Sequence, residues 1–126
     1  MYRNRRRIKD VLTKEELSAF FNACENYKYK TIFMMIYGSG LRISEALNLR
    51  IKDIDSKKMR IFVREGKGKK ERYTVLPKTS LEMLRKYYKI YKPKHPEGYI
   101  FLNREGNPLT VERTREFFRR YRRKAG

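Results

Sequence analysis

Two cationic side chains in this sequence occur in settings where they could handle a phosphate group. Arg42 follows the Gly-Ser-Gly segment at residues 38–40, near the start of a short predicted helix, and Glu45 comes three residues later. A guanidinium group placed there can bind two phosphate oxygens and stabilise the charge that develops in phosphoryl transfer, and Glu45 could fix its orientation. The alternative is a surface Arg–Glu pair that stabilises one helix slightly. The local sequence by itself favours this alternative.

Lys67 lies between Gly66 and Gly68, between two β-prone runs at residues 59–64 and 72–76 that predict a hairpin. Glycine permits the positive φ angles of a tight turn and a close approach to a ligand. A lysine there could donate a proton to a leaving oxygen or contact a phosphate. Hairpin tips are also often rich in glycine and lysine because they are solvated, and the local sequence alone favours that explanation.

The helices and strands predicted around these residues indicate an α+β fold, mainly helical with a small antiparallel three-stranded sheet. Thr13 and Glu16 form a capping box for the first helix, and Ser44 is expected to cap the short helix that contains Glu45. The predicted helices have apolar residues at helical spacing and lie at about 14–26, 28–37, 45–48, 77–91 and 111–121. The predicted strands lie at 59–64, 72–76 and 99–102.

Charge is the outlying property of the composition. The 126 residues, about one domain, include 33 Lys and Arg against 14 Asp and Glu, a formal net charge of +19. A polyanion is the expected partner, because neutralised phosphates release counterions. A membrane-surface protein would instead concentrate its charge on one amphipathic helix, and no apolar run is long enough to cross a bilayer. We expect a cytoplasmic, nucleoid-associated protein.

The single cysteine, Cys24, allows no internal disulfide and no zinc cluster. It lies on the apolar stripe of the first predicted helix. We therefore predict an inert thiol in the core rather than a reactive one.

The order of three segments resembles the catalytic domain of tyrosine recombinases, the phage integrase or Xer-like family. The segments are GSGLRISEALNLRIKDID, MRIFVREGKGKKERYTVLP and, after an apolar helix, GYIFLNREGNPLT, and the resemblance runs from about Leu12 to the end. It implies that Arg42 grips the scissile phosphate, that Glu45 supports the site and that Lys67 acts on the leaving oxygen. It also implies double-stranded DNA as partner, a tetramer on DNA for the full-length family, and no metal or nucleotide cofactor. The DNA-binding residues expected beside the site are Arg64, Lys69, Lys70 and Arg72.

The sequence departs from the family pattern in its second half. The family's His-x-x-Arg motif is not found, since the one histidine, His95, has no arginine three residues later. Tyr121 lies on the helix before the place where the family's nucleophilic tyrosine would come, and is expected to pack or stack. We therefore expect residues 12–126 to form an incomplete catalytic domain and residues 1–11 a basic arm or linker remnant. On this view the chain by itself binds DNA without cleaving it.

Two other functions remain open from the sequence. One is a stand-alone, non-catalytic nucleic-acid-binding module. The other is a basic RNA-assembly protein, for which a charge of +19 would be ordinary.

The apolar face of the last predicted helix provides a separate expectation. Half a domain should leave apolar surface uncovered, so this face is expected to be exposed and to favour self-association. Its residues are Val111, Phe117, Phe118 and Tyr121.

Overall fold

A computed structural model describes residues 12–64 and 71–126. The predicted basic arm and the predicted site residues Lys67, Lys69 and Lys70 lie outside the described residues. In the described part of the chain, the α-helices are α1 (Lys14–Ala23), α2 (Tyr27–Ser39), α3 (Ile43–Leu47), α4 (Lys78–Tyr91) and α5 (Val111–Ala125). A 3-10 helix at Ile51–Asp53 precedes the strands β1 (Ile54–Asp55), β2 (Arg60–Arg64) and β3 (Glu71–Val75).

The predicted capping box at the start of α1 is confirmed. The backbone N–H of Glu16 donates to Oγ1 of Thr13 at 3.1 Å, and the backbone N–H of Thr13 donates to Oε1 of Glu16 at 2.9 Å. The helix ends at Ala23, three residues before the predicted end at 26. Two donors that a helix start would otherwise leave unsatisfied are therefore bonded within four residues of sequence.

The start of α3 differs from the prediction. Arg42, not Ser44, is the N-cap residue, and Ser44 lies in the first turn of the helix. The Glu45 carboxylate accepts the backbone N–H of Arg42 at 2.9 Å, so it takes over part of the capping that Ser44 was expected to provide. The prediction that Ser44 caps this helix is wrong for that reason.

The three strands form one antiparallel sheet in the order β1-β2-β3. The predicted pairing of the two hairpin strands is confirmed, with Phe62 opposite Tyr73. The predicted strand at 99–102 is not the third member of this sheet and forms only isolated bridges. Its central residues, Ile100 and Phe101, are fully buried, and the N–H of Ile100 donates to the carbonyl of Leu49 at 3.2 Å. Burial in the helical core explains why an apolar, β-prone run does not extend the sheet.

The core is rich in aromatic rings that bring α5 onto α1 and α2. Phe20 and Phe33 meet edge to face at 5.4 Å between ring centroids, and Phe118 packs on both. Tyr121 is buried, and its hydroxyl accepts the backbone N–H of Asn26 at 3.2 Å. Edge-to-face pairs of this kind stabilise a core beyond the area that they bury.

The expected exposure of the last helix's apolar face is wrong. Tyr121 is buried, while Val111, Phe117 and Phe118 are half-buried against the core. The face is covered because the first two helices provide a matching aromatic surface, and Tyr29 stacks on Phe117 at 4.1 Å. Self-association stays a prediction, without this surface as its basis.

Cys24 lies in the same core, as predicted. Its thiol is buried and donates to the carbonyl of Phe20 at 3.3 Å. Burial raises the pKa of Cys24 to about 12, so the thiolate is scarce at neutral pH.

Gly38 lies where α2 and α4 come into close contact. The end of α2 is formed by a different glycine, Gly40, which has a left-handed backbone conformation (φ 68°). A Cβ on Gly38 would lie 2.7 Å from Oγ of Ser80 and 3.2 Å from Cγ of Pro77. We expect Gly38→Ala to lower the free energy of unfolding by about 1 kcal/mol, because the steric cost exceeds the gain in helix propensity. Urea unfolding of the variant would measure this loss.

The matched test places Gly38→Ala in a Ser80→Ala background. Removing the hydroxyl relieves the shorter of the two contacts, so the loss should shrink there. An equal loss in both backgrounds would contradict the contact as its cause.

Candidate functional site

A buried carboxylate organises the predicted site. Glu45 is 5% exposed, and its Oε1 accepts the backbone N–H of Arg42 at 2.9 Å. The Arg72 guanidinium donates to Oε2 at 3.1 Å and to Oε1 at 3.3 Å, which makes a two-pronged ion pair between α3 and β3. Glu45 therefore fixes the backbone of Arg42 and the side chain of Arg72, rather than forming only the local surface pair considered from the sequence.

The electrostatics of Glu45 favour its charged form. Burial acts to raise the pKa of its carboxyl group. The hydrogen bonds from Arg72 and from the Arg42 backbone, together with the positive charges of both residues, outweigh burial and leave the pKa below its ordinary value. The site therefore holds a carboxylate, not a neutral acid, at neutral pH.

This shift predicts an acid-sensitive contribution to stability. A carboxyl group whose pKa is lower in the folded state stabilises the fold above its unfolded pKa of about 4.3, and the contribution is lost as the pH falls through the folded value. The stability difference between the wild-type protein and Glu45→Gln should therefore be full at pH 7 and shrink under acid. Urea unfolding of both proteins at neutral and acidic pH would measure it. A difference that stayed constant with pH would contradict the assignment.

A second buried carboxylate, in the 3-10 helix, repeats this arrangement with an arginine of the neighbouring strand β2. Asp53 is 3% exposed and accepts the backbone N–H of Arg50 at 3.0 Å. The Arg64 guanidinium donates to Oδ1 of Asp53 at 2.7 Å and to Oδ2 at 3.4 Å. The hydrogen bond to Asp53 raises the pKa of Arg64 further, so its charge is permanent. The last residue of β2 is thus tied to the 3-10 helix as Arg72 of β3 is tied to α3.

Asp53 had no predicted role, although the sequence contains a signal for it. Arg42 and Glu45 have the same spacing as Arg50 and Asp53, an arginine followed three residues later by an acid at the start of a short helix. The spacing indicates a carboxylate that caps its own helix. It does not indicate the strand arginine that completes each pair.

The structure brings together some of the predicted site residues. Arg42, Glu45 and Arg72 meet at one place, with Arg42 exposed at the start of α3. Arg64 lies at the end of β2 on Asp53, with its guanidinium carbon 5.1 Å from the centre of the Phe62 ring. Two of the expected DNA contacts, Arg64 and Arg72, are therefore also held by buried acids, which fixes where their charges lie.

Other kinds of site receive no support from the described residues. Among them, no group of three or more histidine, cysteine or acidic side chains is placed to hold a metal ion. In the same part of the chain, none of the helices has both the length and the apolar character of a membrane span.

Comparison with known families identifies the chain. The model of the phage integrase family matches residues 10–126. The chain belongs to the phage integrase family. The resemblance predicted from the order of its segments is thereby confirmed.

Individual relatives and solved structures agree with the assignment to the phage integrase family. The chain is 36% identical over 96 residues to tyrosine recombinase XerA of Pyrococcus horikoshii, covering 76% of this chain and 33% of that protein. A crystal structure of XerA recombinase matches this chain with a TM-score of 0.80 and 22% identity. The match covers 91% of this chain and 42% of the XerA chain. A crystal structure of lambda integrase bound to DNA matches with a TM-score of 0.73 and 17% identity, and it also covers 91% of this chain and 42% of its own chain length. These structures confirm the predicted α+β fold.

The chain spans only part of the length of its curated relatives. It covers 32% to 40% of the lengths of the first four curated relatives that it matches. The activity, substrates and partners of a whole recombinase therefore enter only as proposals.

Proposed function

We propose that this chain is a DNA-binding part of the catalytic domain of a site-specific tyrosine recombinase, and that Arg42 binds the scissile phosphate. The observation that carries the proposal is the position of Arg42. Its side chain is exposed, while its backbone is fixed by a buried carboxylate that also holds Arg72. An exposed guanidinium that projects from a fixed backbone position is suited to phosphate oxygens, because the position of its backbone need not be established on binding.

The fold and the charge of the chain support duplex DNA as the partner. Lambda integrase, which shares the fold, has been solved bound to DNA. The net charge of +19 would release many counterions from a duplex. Self-association on DNA and a nucleoid location belong to this proposal.

The proposed chemistry is phosphodiester cleavage without a metal or nucleotide cofactor. In the whole recombinase a tyrosine oxygen attacks phosphorus and the bond from phosphorus to the 5′ oxygen breaks. The 3′-phosphotyrosyl ester that forms keeps the energy of the broken bond for rejoining. Arg42 would stabilise the charge on the non-bridging oxygens, and Lys67 would give a proton to the leaving 5′ oxygen. Glu45, Arg64 and Arg72 would position or supplement these charges, with Lys69 and Lys70 as further backbone contacts. The 126 residues contain no His-x-x-Arg motif, so we propose that this chain by itself binds without cleaving.

The test compares Arg42→Ala with Arg115→Ala, which removes an exposed arginine of α5. Duplex binding is measured by fluorescence anisotropy over a salt series. We expect Arg42→Ala to weaken binding about tenfold or more and Arg115→Ala only about two- to threefold, while each changes the salt slope by about one charge. Arg42→Lys should not restore the affinity, because a lysine cannot form the two-pronged contact.

Three results would each contradict a part of the proposal. Equal losses for the α5 variant and for both Arg42 variants would mean that Arg42 contributes only general charge. A clear preference for structured RNA over duplex DNA would instead favour the RNA-assembly function. A covalent complex of the chain with a nicked suicide duplex would overturn the non-cleaving role.

A further inference from the structure

An apolar groove lies among the 3-10 helix, β1 and α4. Its volume is about 480 Å³, and Ile51, Ile54, Leu84 and Tyr88 line it. Volumes of this size are typical of binding clefts rather than of packing defects.

Two of the apolar side chains in this groove remain open to solvent. Ile51 is 45% exposed and Tyr88 is 36% exposed, whereas Leu81 and Leu84, which also line the groove, are buried. Leaving such side chains in water forgoes the hydrophobic stabilisation that burial would provide. A partner that covers them would recover it.

The charged residues at the groove are of one sign. Arg85 and Lys89 are exposed, lie four residues apart on α4, and are the charged side chains among the described residues that line the groove. Residues four apart on a helix lie on the same face one turn from each other. The groove therefore presents an apolar floor beside two cations, with no carboxylate among the described lining residues.

We propose that this groove binds an acidic amphipathic helix of a partner protein. Apolar side chains at helical spacing would enter the groove, and acidic side chains on the flank would pair with Arg85 and Lys89. Duplex DNA would satisfy the two cations, but its phosphates cannot fill an apolar floor. None of the lining residues belongs to the proposed phosphate site, so this inference does not depend on the proposed function.

The experiment uses a labelled, capped helical peptide of about four turns, built from glutamate and alanine with three leucines on one face. Its binding to the 126-residue chain is followed by fluorescence anisotropy. Ile51→Ser should weaken binding about tenfold and Lys89→Gln about threefold.

Matched variants on α4 separate the groove from general charge. Ile90→Ser removes an apolar side chain that is 57% exposed, and Lys86→Gln removes an exposed lysine, and neither residue lines the groove. Each should change the affinity by less than about twofold. Circular dichroism and urea unfolding would verify that all four variants fold.

Specific results would overturn the proposal. A peptide with serines in place of the leucines that bound equally well would reduce the effect to electrostatics, as would equal losses in the control variants. Duplex DNA that lost affinity with Ile51→Ser would make nucleic acid the occupant. Concentration-dependent self-association abolished by Ile51→Ser would make a second copy the occupant.

Discussion

The Glu45→Ala variant is expected to lose about 2 to 4 kcal/mol in free energy of unfolding. The substitution leaves the Arg72 guanidinium, whose side chain is 36% exposed, without the carboxylate that receives two of its hydrogen bonds. It also leaves the backbone N–H of Arg42 without its acceptor at the start of α3. Urea unfolding monitored by circular dichroism would measure the loss.

The matched control for this variant is Glu82→Ala, which removes an exposed carboxylate from α4. Surface substitutions of this type usually change stability by less than about 0.5 kcal/mol. If Glu45→Ala were no more destabilising than this control, the Glu45–Arg72 ion pair would not contribute measurably to holding α3 against β3. Pairing Glu45→Ala with Arg72→Ala should recover part of the loss, because the double variant removes both charges of the pair.

Phe33→Ala should have the other large effect, a loss of about 3 to 5 kcal/mol. Phe33 is fully buried, and its ring contacts those of Phe20, Phe118 and Tyr121, which belong to the helices packed around it. Truncation removes the apolar surface and leaves a cavity between α1, α2 and α5 that these rings can only partly close. The free energy of unfolding in urea, together with near-ultraviolet circular dichroism of the tyrosines, would report the change.

Ile90→Ala is the control for this prediction, because Ile90 is a large apolar side chain that is 57% exposed. It should cost little, since few contacts are lost. A small loss for Phe33→Ala would mean that α5 does not depend on the aromatic core.

The helices were predictable where short-range signals define them. The capping box of Thr13 and Glu16 and the cap at Thr110, which accepts the backbone N–H of Arg113 at 3.2 Å, depend on residues three apart. Such contacts form within one turn and need no tertiary structure. Ser44 was mistaken for a cap because the competing acceptor, Glu45, lies at the correct spacing from Arg42 as well.

The sheet was only partly predictable. The hairpin strands follow from β-prone runs around a turn, and their register agrees with the pattern. The third strand, Ile54–Asp55, is two residues long and too short to give a periodic signal. Residues 99–102 have the composition of a strand, but Ile100, Phe101 and Leu102 are buried by contacts with distant parts of the chain.

The sequence by itself determined the family and the position of Arg42 with its acid three residues later, because motif order and local spacing are written along the chain. Only the tertiary structure decided that Glu45 pairs with Arg72, 27 residues away, and that Asp53 pairs with Arg64, 11 residues away. It also decided that α5 is covered by aromatic rings and that a groove remains beside α4. These contacts depend on how separate elements cross in space, and side-chain spacing within one element does not contain that information.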